Sequence, residues 1–102
     1  MARRNLTASG KECKMIVKYR KAFFNDVARI KNLKLIEEIE FVTETANRCF
    51  APEEIPGFKP LRQYPGKARI EIAPYRIGIE VIGDTIIFKR VIPRSYFYLQ
   101  FP

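Results

Sequence analysis

Hydrophobic and polar residues alternate in three consecutive segments near the end of the chain. These segments cover residues 68–73, 76–81 and 85–92. An alternation with a period of two is typical of strands that bury one face and expose the other. Gly83 and Asp84 separate the last two segments, and a glycine at the first central position suits the type II′ turn of a two-residue hairpin. The pattern predicts an antiparallel meander.

The register of this meander follows if Ala73-Pro74 and Gly83-Asp84 are its turns, because a slip of one residue would expose the isoleucines. Two rows of residues then cross the open face: Arg69, Gly78 and Lys89 in one, and Glu71, Arg76 and Val91 in the next. Gly78 has no side chain and lies between the cations Arg69 and Lys89, so this row suggests a shallow phosphate-binding site. The strands alone favour the alternative, a solvated face on which Glu71 pairs with Arg76.

The first half of the chain changes from a strand pattern to a helix pattern. Residues 15–19 are β-prone and predict a first strand, and from Arg20 apolar residues recur every three or four positions. Two apolar stripes result, one of Phe23, Val27 and Ile30 and one of Leu35, Ile39, Val42, Ala46 and Cys49. With Asn32 as the break, they predict a helical hairpin that covers one face of the sheet. The acids of the second helix, Glu37, Glu38, Glu40 and Glu44, are expected to face solvent.

Residues 51–65 contain four prolines and cannot continue the helix, so they are expected to form a connection. Basic and aromatic residues alternate in it: Phe58, Lys59, Leu61, Arg62 and Tyr64. Such residues stack bases and hold phosphates in some proteins. In others, apolar residues such as Phe58 and Leu61 fix a loop to the core.

Composition restricts the class of protein. A chain of 102 residues with 47% hydrophobic residues forms a single core, and the net charge of +8 favours an anionic partner such as RNA, DNA, a membrane surface or an acidic protein segment. The charge is uneven, with nine bases and two acids in residues 1–31 but two bases and six acids in residues 32–56. We expect a basic extension over residues 1–14 and one domain over residues 15–102.

The absence of histidine excludes Ser-His-Asp and Cys-His sites, and two cysteines are too few for a zinc site. Neither a metal nor a small-molecule cofactor is expected. Cys13 and Cys49 are predicted to stay reduced, Cys49 as a small apolar residue, with a disulfide between them as the alternative. No segment approaches the length of a membrane span, so we expect a cytoplasmic protein without a membrane partner.

Arginine and tyrosine cluster after the last strand, as Arg94, Tyr96 and Tyr98. Tyrosines near a chain end often serve packing, but two of them beside an arginine and a basic sheet face favour contact with RNA.

The order of strand, two helices, connection, meander and basic tail resembles the RelE/ParE superfamily of bacterial toxins, the toxic halves of type II toxin-antitoxin pairs. The resemblance runs over residues 15–102. It depends most on YRIGIEV at 75–81 with TIIFKR at 85–90, and on VIPRSYFY at 91–98 with the final Phe101 and Pro102.

This resemblance implies an α+β fold, in which an N-terminal strand and an α-helical hairpin pack on one face of a small antiparallel sheet. It also implies a metal-independent endoribonuclease that cuts ribosome-bound mRNA by attack of a ribose 2′-OH on the adjacent phosphate, and that is silenced by a cognate antitoxin. Positioning and cations for the developing charge suffice for that reaction.

The resemblance also implies the site residues. Arg76 matches the family's strand arginine and Arg94 its tail arginine, and both are implied to bind the phosphate or the transition state. Tyr98 matches a tyrosine that stacks on a base or orients the RNA. Arg69 falls at a position on the preceding strand where the family carries a basic residue. Further RNA-binding residues are expected around them: Arg62, Lys67, Lys89, Arg90 and Tyr96.

Two positions depart from the family pattern, since many relatives carry histidine at the position of Pro93 and lysine near that of Glu71. An arginine stays protonated, so Arg69 is a poor general base. Glu71 is the other candidate for this role, but pairing with Arg76 makes it less available, and the identity of the base stays open. Two alternatives stay open: a ParE-like inhibitor of DNA gyrase that is not a nuclease, and a catalytically weak basic RNA-binding module.

Overall fold

A computed structural model of the protein describes residues 14–101. Its helices and strands follow the order β1 (Ile16–Tyr19), α1 (Lys21–Ala28), α2 (Leu33–Arg48), β2 (Phe58–Pro60), β3 (Lys67–Ile72), β4 (Tyr75–Ile82), β5 (Thr85–Pro93) and α3 (Phe97–Gln100), with 3-10 turns at Pro52–Glu54 and Arg94–Tyr96. The predicted extension of residues 1–14, apart from Lys14, lies outside the described residues, as does Cys13.

The five strands form one sheet in the order β1-β5-β4-β3-β2. β1 pairs with β5 in parallel, and the other neighbours are antiparallel. The predicted α+β fold, with a first strand, a helical hairpin and a meander, is confirmed. The connection of residues 51–65 differs from the expectation, because Phe58–Pro60 adds an edge strand to β3.

The helical hairpin bends at the predicted residue. Asn32 caps α2, and its side-chain oxygen accepts hydrogen bonds from the backbone nitrogens of Lys34 at 2.9 Å and Leu35 at 3.2 Å. The apolar stripes of both helices face the sheet, and Phe23, Ile39, Val42 and Ala46 join one core with Ile70, Ile77, Ile79 and Phe88. The four acids of α2 are exposed, as expected.

The register of β3 with β4 is as predicted, but that of β4 with β5 is not. Gly78 lies opposite Arg90 rather than Lys89, and Arg76 opposite Ile92 rather than Val91, because β5 has a bulge at this point. In a regular strand Phe88 and Val91 would point to opposite faces. The extra residue lets both enter the core beneath the helices.

A second, smaller core on the other face of the sheet is formed by the C-terminal segment. Phe97 and Phe101 of this segment pack with Leu61 and Ile92. A Cβ atom on Gly78 would lie 2.8 Å from a ring carbon of Phe101. The phosphate site suggested at Gly78 is therefore blocked, because the Phe101 ring occupies it. The favoured alternative is right about the pair of Glu71 and Arg76, which are 2.9 Å apart, but wrong about a solvated face, since aromatic residues of the C-terminal segment pack there. Among residues 14–101, no helix is long and apolar enough to cross a membrane.

Candidate active site

Three of the predicted arginines surround one carboxylate on the face of the sheet that carries the C-terminal segment. Glu71 Oε1 lies 2.9 Å from Arg76 Nε and 3.7 Å from Arg69 Nε, and Glu71 Oε2 lies 3.7 Å from Arg94 Nη1. The antiparallel register sets this arrangement, because Glu71 of β3 pairs with Arg76 of β4. We call these four residues the arginine cluster.

The arginine cluster is electropositive, since three guanidinium groups against one carboxylate leave a formal charge of +2. Arg76 is 17% exposed, whereas Arg94 is 55% exposed and reaches solvent. Arg69 Nε and Glu71 Oε2 are shielded from solvent and make no hydrogen bond. Because buried polar atoms generally find partners, Arg69 Nε has donor capacity left for an anion, whereas Glu71 Oε2 has acceptor capacity left for a donor such as a hydroxyl group.

Tyr98 completes the group of residues implied by the resemblance. Its hydroxyl oxygen accepts a hydrogen bond from Arg69 Nη1 at 2.6 Å. The guanidinium carbon of Arg76 lies 5.8 Å from the centre of the Tyr98 ring and 5.9 Å from that of Phe97, within the range of cation-π attraction. The buried Phe97 thereby anchors the segment that carries Tyr98, while the Tyr98 ring is 54% exposed.

The connection before β3 forms a groove beside this group. The groove has a volume of about 340 Å³, and its lining includes Arg62, Gln63 and Tyr64 on one side and Arg69 and Tyr98 on the other. The apolar residues of the connection fix it to the protein, because Leu61 is buried with Phe97 and Phe58 packs against the main core. Arg62 and Tyr64 remain exposed. Both interpretations of this segment therefore hold for different residues: Phe58 and Leu61 fix the loop to the core, whereas Arg62 and Tyr64 stay exposed.

Lys67 and Lys89 lie further along the sheet and share a different acid. Their Nζ atoms lie 3.6 Å and 3.3 Å from the carboxylate of Glu80. The hydrogen bond from Lys89 is the main cause that lowers the pKa of Glu80, and the charge of Lys67 contributes. These two predicted RNA-binding lysines are outside the arginine cluster.

Arg90 is part of a structural ion pair at the bulge of β5. Its Nε and Nη2 atoms donate to the carboxylate of Asp26 at 2.7 and 3.2 Å, and the backbone nitrogen of Val91 donates to the same carboxylate at 2.9 Å. The hydrogen bond to Asp26 raises the pKa of Arg90. Tyr96 lies apart from the cluster, in a second groove that Arg90 and Tyr75 also line.

Asp26 is buried and was missed in the sequence. Asp26 follows Phe23 by three residues, and this spacing places its carboxylate on the buried stripe of α1. The spacing is the signal in the sequence that could have identified it. A buried acid requires a partner, and the arginine of β5 supplies it.

Cys49 is a free, buried thiol in the main core, as predicted for a small apolar residue. Burial is the main cause that raises the pKa of its thiol. Among residues 14–101, no three His, Cys, Asp or Glu side chains are grouped so that they could hold a metal ion.

Comparison with known proteins identifies relatives over most of the chain. No family model matches the sequence. Toxin RelE3 of Methanocaldococcus jannaschii is 38% identical over 93 residues, which cover 86% of this chain and 100% of the relative. The crystal structure of the RelB-RelE antitoxin-toxin complex from Methanococcus jannaschii is similar with a TM-score of 0.72 and 32% identity, over 83% of this chain and 99% of that chain.

A more distant structure has the same fold. The DinJ-YafQ complex of E. coli matches with a TM-score of 0.57 at 12% identity, over 83% of this chain and 99% of that chain.

Proposed function

Because this chain belongs to the RelE family of toxins from type II toxin-antitoxin systems, we propose that it is a metal-independent endoribonuclease that cuts ribosome-bound mRNA. The observation that carries the proposal is the arginine cluster beside an exposed tyrosine. Its catalytic residues in this proposal are Arg69, Arg76, Arg94 and Tyr98, and Glu71 is the candidate general base. Because the proposed substrate is ribosome-bound mRNA, we expect the protein to act in the cytoplasm.

The reaction is attack of a ribose 2′-OH on the adjacent phosphorus. A new bond forms between the 2′ oxygen and phosphorus, the bond to the 5′ oxygen breaks, and a cyclic phosphate and a 5′-hydroxyl result. Negative charge grows on the phosphate oxygens in the transition state, and fixed cations stabilise it most effectively where water is excluded. Arg76 is suited to this role because Glu71 and two aromatic rings hold its guanidinium in place.

Arg94 and Glu71 have complementary roles in the proposal. Arg94 is exposed and its nearest contact to Glu71 is 3.7 Å long, so it can turn toward an incoming phosphate at little cost. This movement uncovers Glu71 Oε2, which makes no hydrogen bond and accepts the 2′-OH proton. The departing 5′ oxygen takes a proton from water, and the hydroxide that remains takes the proton held by Glu71, which restores the carboxylate. Glu71 stands near the position where the family pattern has lysine, so in this proposal a carboxylate takes the role of base.

An antitoxin is the expected protein partner. The crystal structures of the RelB-RelE and DinJ-YafQ complexes each pair a toxin with an antitoxin. A chain with a net charge of +8 and an arginine cluster on its surface attracts an acidic segment. We expect such a segment to occupy the cluster and exclude RNA.

The proposal is tested by producing the protein in a bacterial translation extract and mapping mRNA 5′ ends, with and without ribosomes. Cuts should appear only with ribosomes. We expect Arg76→Ala and Arg94→Ala to reduce the cleavage rate about 100-fold or more, the usual effect of removing one transition-state donor. Lys34→Ala, which removes an exposed cation on α2, is the matched control and should cleave like the wild type.

Each other outcome has a definite meaning. Unchanged cleavage in both arginine variants would refute the site. Intact RNA with damaged DNA would favour a gyrase inhibitor over a nuclease. Intact RNA with continuing translation would favour the RNA-binding module without catalysis.

A further inference from the structure

Glu71 is the acid of the arginine cluster, and its carboxylate faces the guanidinium groups of all three arginines. It accepts a hydrogen bond from Arg76 Nε at 2.9 Å. Its contacts of 3.7 Å with Arg69 and Arg94 are too long for hydrogen bonds. Two arginines of the cluster are therefore held near an anion that attracts them without binding them tightly.

A phosphate of RNA that approaches the cluster meets two opposite effects. The three guanidinium groups attract its charge, and the carboxylate of Glu71 repels it. The Glu71 side chain is 33% exposed, so solvent and salt screen this repulsion only in part. Because Glu71 belongs to the same chain as the arginines, its effective concentration beside them is high. RNA that is free in solution must compete with this carboxylate at its own, much lower concentration.

We propose that Glu71 is an internal competitor of the RNA phosphate, and that it keeps the protein from binding RNA that is not presented by the ribosome. This inference rests on the proposed function and adds to it a control of the same site. An mRNA that is held in place by other contacts reaches the cluster as a tethered ligand, so its phosphate also acts at a high effective concentration.

Arg94 is the first arginine to exchange Glu71 for the phosphate. Its side chain is 55% exposed, and its contact with Glu71 is 3.7 Å long, so little is lost when it turns away. Arg76 keeps its hydrogen bond of 2.9 Å to Glu71 Oε1. The same carboxylate thus weakens the binding of free RNA and stays beside the phosphate of presented RNA, where the reaction needs a base.

A second carboxylate of the sheet provides a matched control. Glu80 lies 3.6 Å from Lys67 Nζ and 3.3 Å from Lys89 Nζ, and its side chain is 24% exposed. It therefore also lies between cations, but outside the arginine cluster. Glu71→Gln and Glu80→Gln raise the net charge of the protein equally, and only Glu71→Gln removes an anion from the proposed phosphate site.

The test measures RNA binding in the absence of ribosomes. The probe is a short, fluorescent single-stranded RNA whose 2′-O-methyl groups replace the attacking hydroxyls, and binding is followed by fluorescence anisotropy. Glu71→Gln should bind at least about 10-fold more tightly than the wild type, because the repelling charge next to the phosphate is gone. Its amide oxygen still accepts a hydrogen bond from Arg76. Glu80→Gln should gain less than about 3-fold, since a charge farther from the phosphate is screened.

Salt dependence and two more variants identify the cause of the gain. In Glu71→Gln, the slope of the logarithm of the binding constant against the logarithm of the salt concentration should steepen by about 0.7, the value for one more neutralised phosphate on a single strand. Glu71→Asp keeps the charge and should bind as weakly as the wild type. Glu71→Ala removes the charge and should bind at least as tightly as Glu71→Gln, and it carries the test if circular dichroism shows that Glu71→Gln does not fold.

The results separate this inference from the proposed function. Equal gains in Glu71→Gln and Glu80→Gln would overturn the internal competitor, since net charge alone would explain them. An unchanged salt slope, or tight binding by Glu71→Asp, would overturn it as well. Wild-type cleavage of ribosome-bound mRNA, without tighter binding by the uncharged Glu71 variants, would leave the nuclease intact and overturn the competitor. Tighter binding confined to these variants, without any wild-type cleavage, would support the competitor and refute the nuclease.

Discussion

Gly78 and Phe101 fit so closely that adding a single methyl group should disturb the site. A Cβ atom at position 78 would lie 2.8 to 2.9 Å from three ring carbons of Phe101, and real Cβ atoms essentially never come closer than 3.0 Å to other atoms. Phe101 is 4% exposed and belongs to the small core with Phe97. In Gly78→Ala the ring must move, and the segment that carries Tyr98 moves with it.

The expected cost can be worked out from the two single changes. Overpacking of this kind destabilises by about 1 to 3 kcal/mol. Phe101→Ala removes a buried ring and costs about 3 to 5 kcal/mol. In the double variant the methyl group at position 78 has no ring to meet, and alanine loses less backbone entropy than glycine on folding. The double variant should therefore be at least as stable as Phe101→Ala alone, with a coupling energy of about 1 to 3 kcal/mol.

Urea denaturation of the wild type, both single variants and the double variant measures this coupling. The cleavage rate of Gly78→Ala in the translation extract is the second measurement, and it should fall, because Tyr98 loses its position beside Arg69. The reasoning is refuted if the two destabilisations simply add, since additivity would mean that the methyl group and the ring do not meet. Wild-type cleavage by Gly78→Ala would show that the placement of Tyr98 does not depend on Phe101.

Two further predictions concern charged groups outside the arginine cluster. Asp26→Ala should lower the free energy of unfolding by about 3 to 5 kcal/mol, because it leaves Arg90 and the nitrogen of Val91 without their partner; a loss below about 1 kcal/mol in urea denaturation would contradict this. Lysine pairing lowers the pKa of Glu80 from its ordinary value of 4.5, so its contribution to stability is present above that pH and is lost as the pH falls through the folded-state pKa. Between pH 6 and pH 3 the wild type should lose more stability than Glu80→Gln, and equal losses would show that these ion pairs contribute nothing.

Most of the fold could be predicted from the sequence, because its larger elements have clear periods. The stripe of Ile39, Val42 and Ala46 and the alternation around Ile77 each report a face that must be buried. Asn32 marks the helix start by a local hydrogen bond that depends only on its neighbours. Such signals are readable without knowledge of the tertiary structure.

The elements that were missed depend on distant contacts. β2 is three residues long and ends in Pro60, and its strand geometry comes from pairing with β3. The bulge in β5 arises because Phe88 and Val91 both need a place in one core, and their odd spacing was the only local sign. The position of the Phe101 ring over Gly78 could not be predicted, because it depends on where the four-residue helix α3 packs on the sheet.

The candidate active site likewise has parts that follow from local sequence patterns and parts that depend on distant contacts. The pairing of Glu71 with Arg76 follows from the predicted register, because both residues lie on strands joined by a tight turn. Their union with Arg69, Arg94 and Tyr98 was implied by the family resemblance. The groove beside them needed the structure, since the loop that presents Gln63 is closed by backbone hydrogen bonds that no side-chain pattern reports.

The parallel pairing of β1 with β5 has a consequence for the timing of synthesis. Ile16 is among the first described residues to leave the ribosome, yet its strand partner begins at Thr85. Pairing between residues so far apart in sequence forms late in folding. The sheet, and with it the cluster that needs Arg94 and Tyr98, is completed only after β5 and the segment that follows it have been synthesised. The arginine cluster therefore assembles only after residues far apart along the chain have all been synthesised.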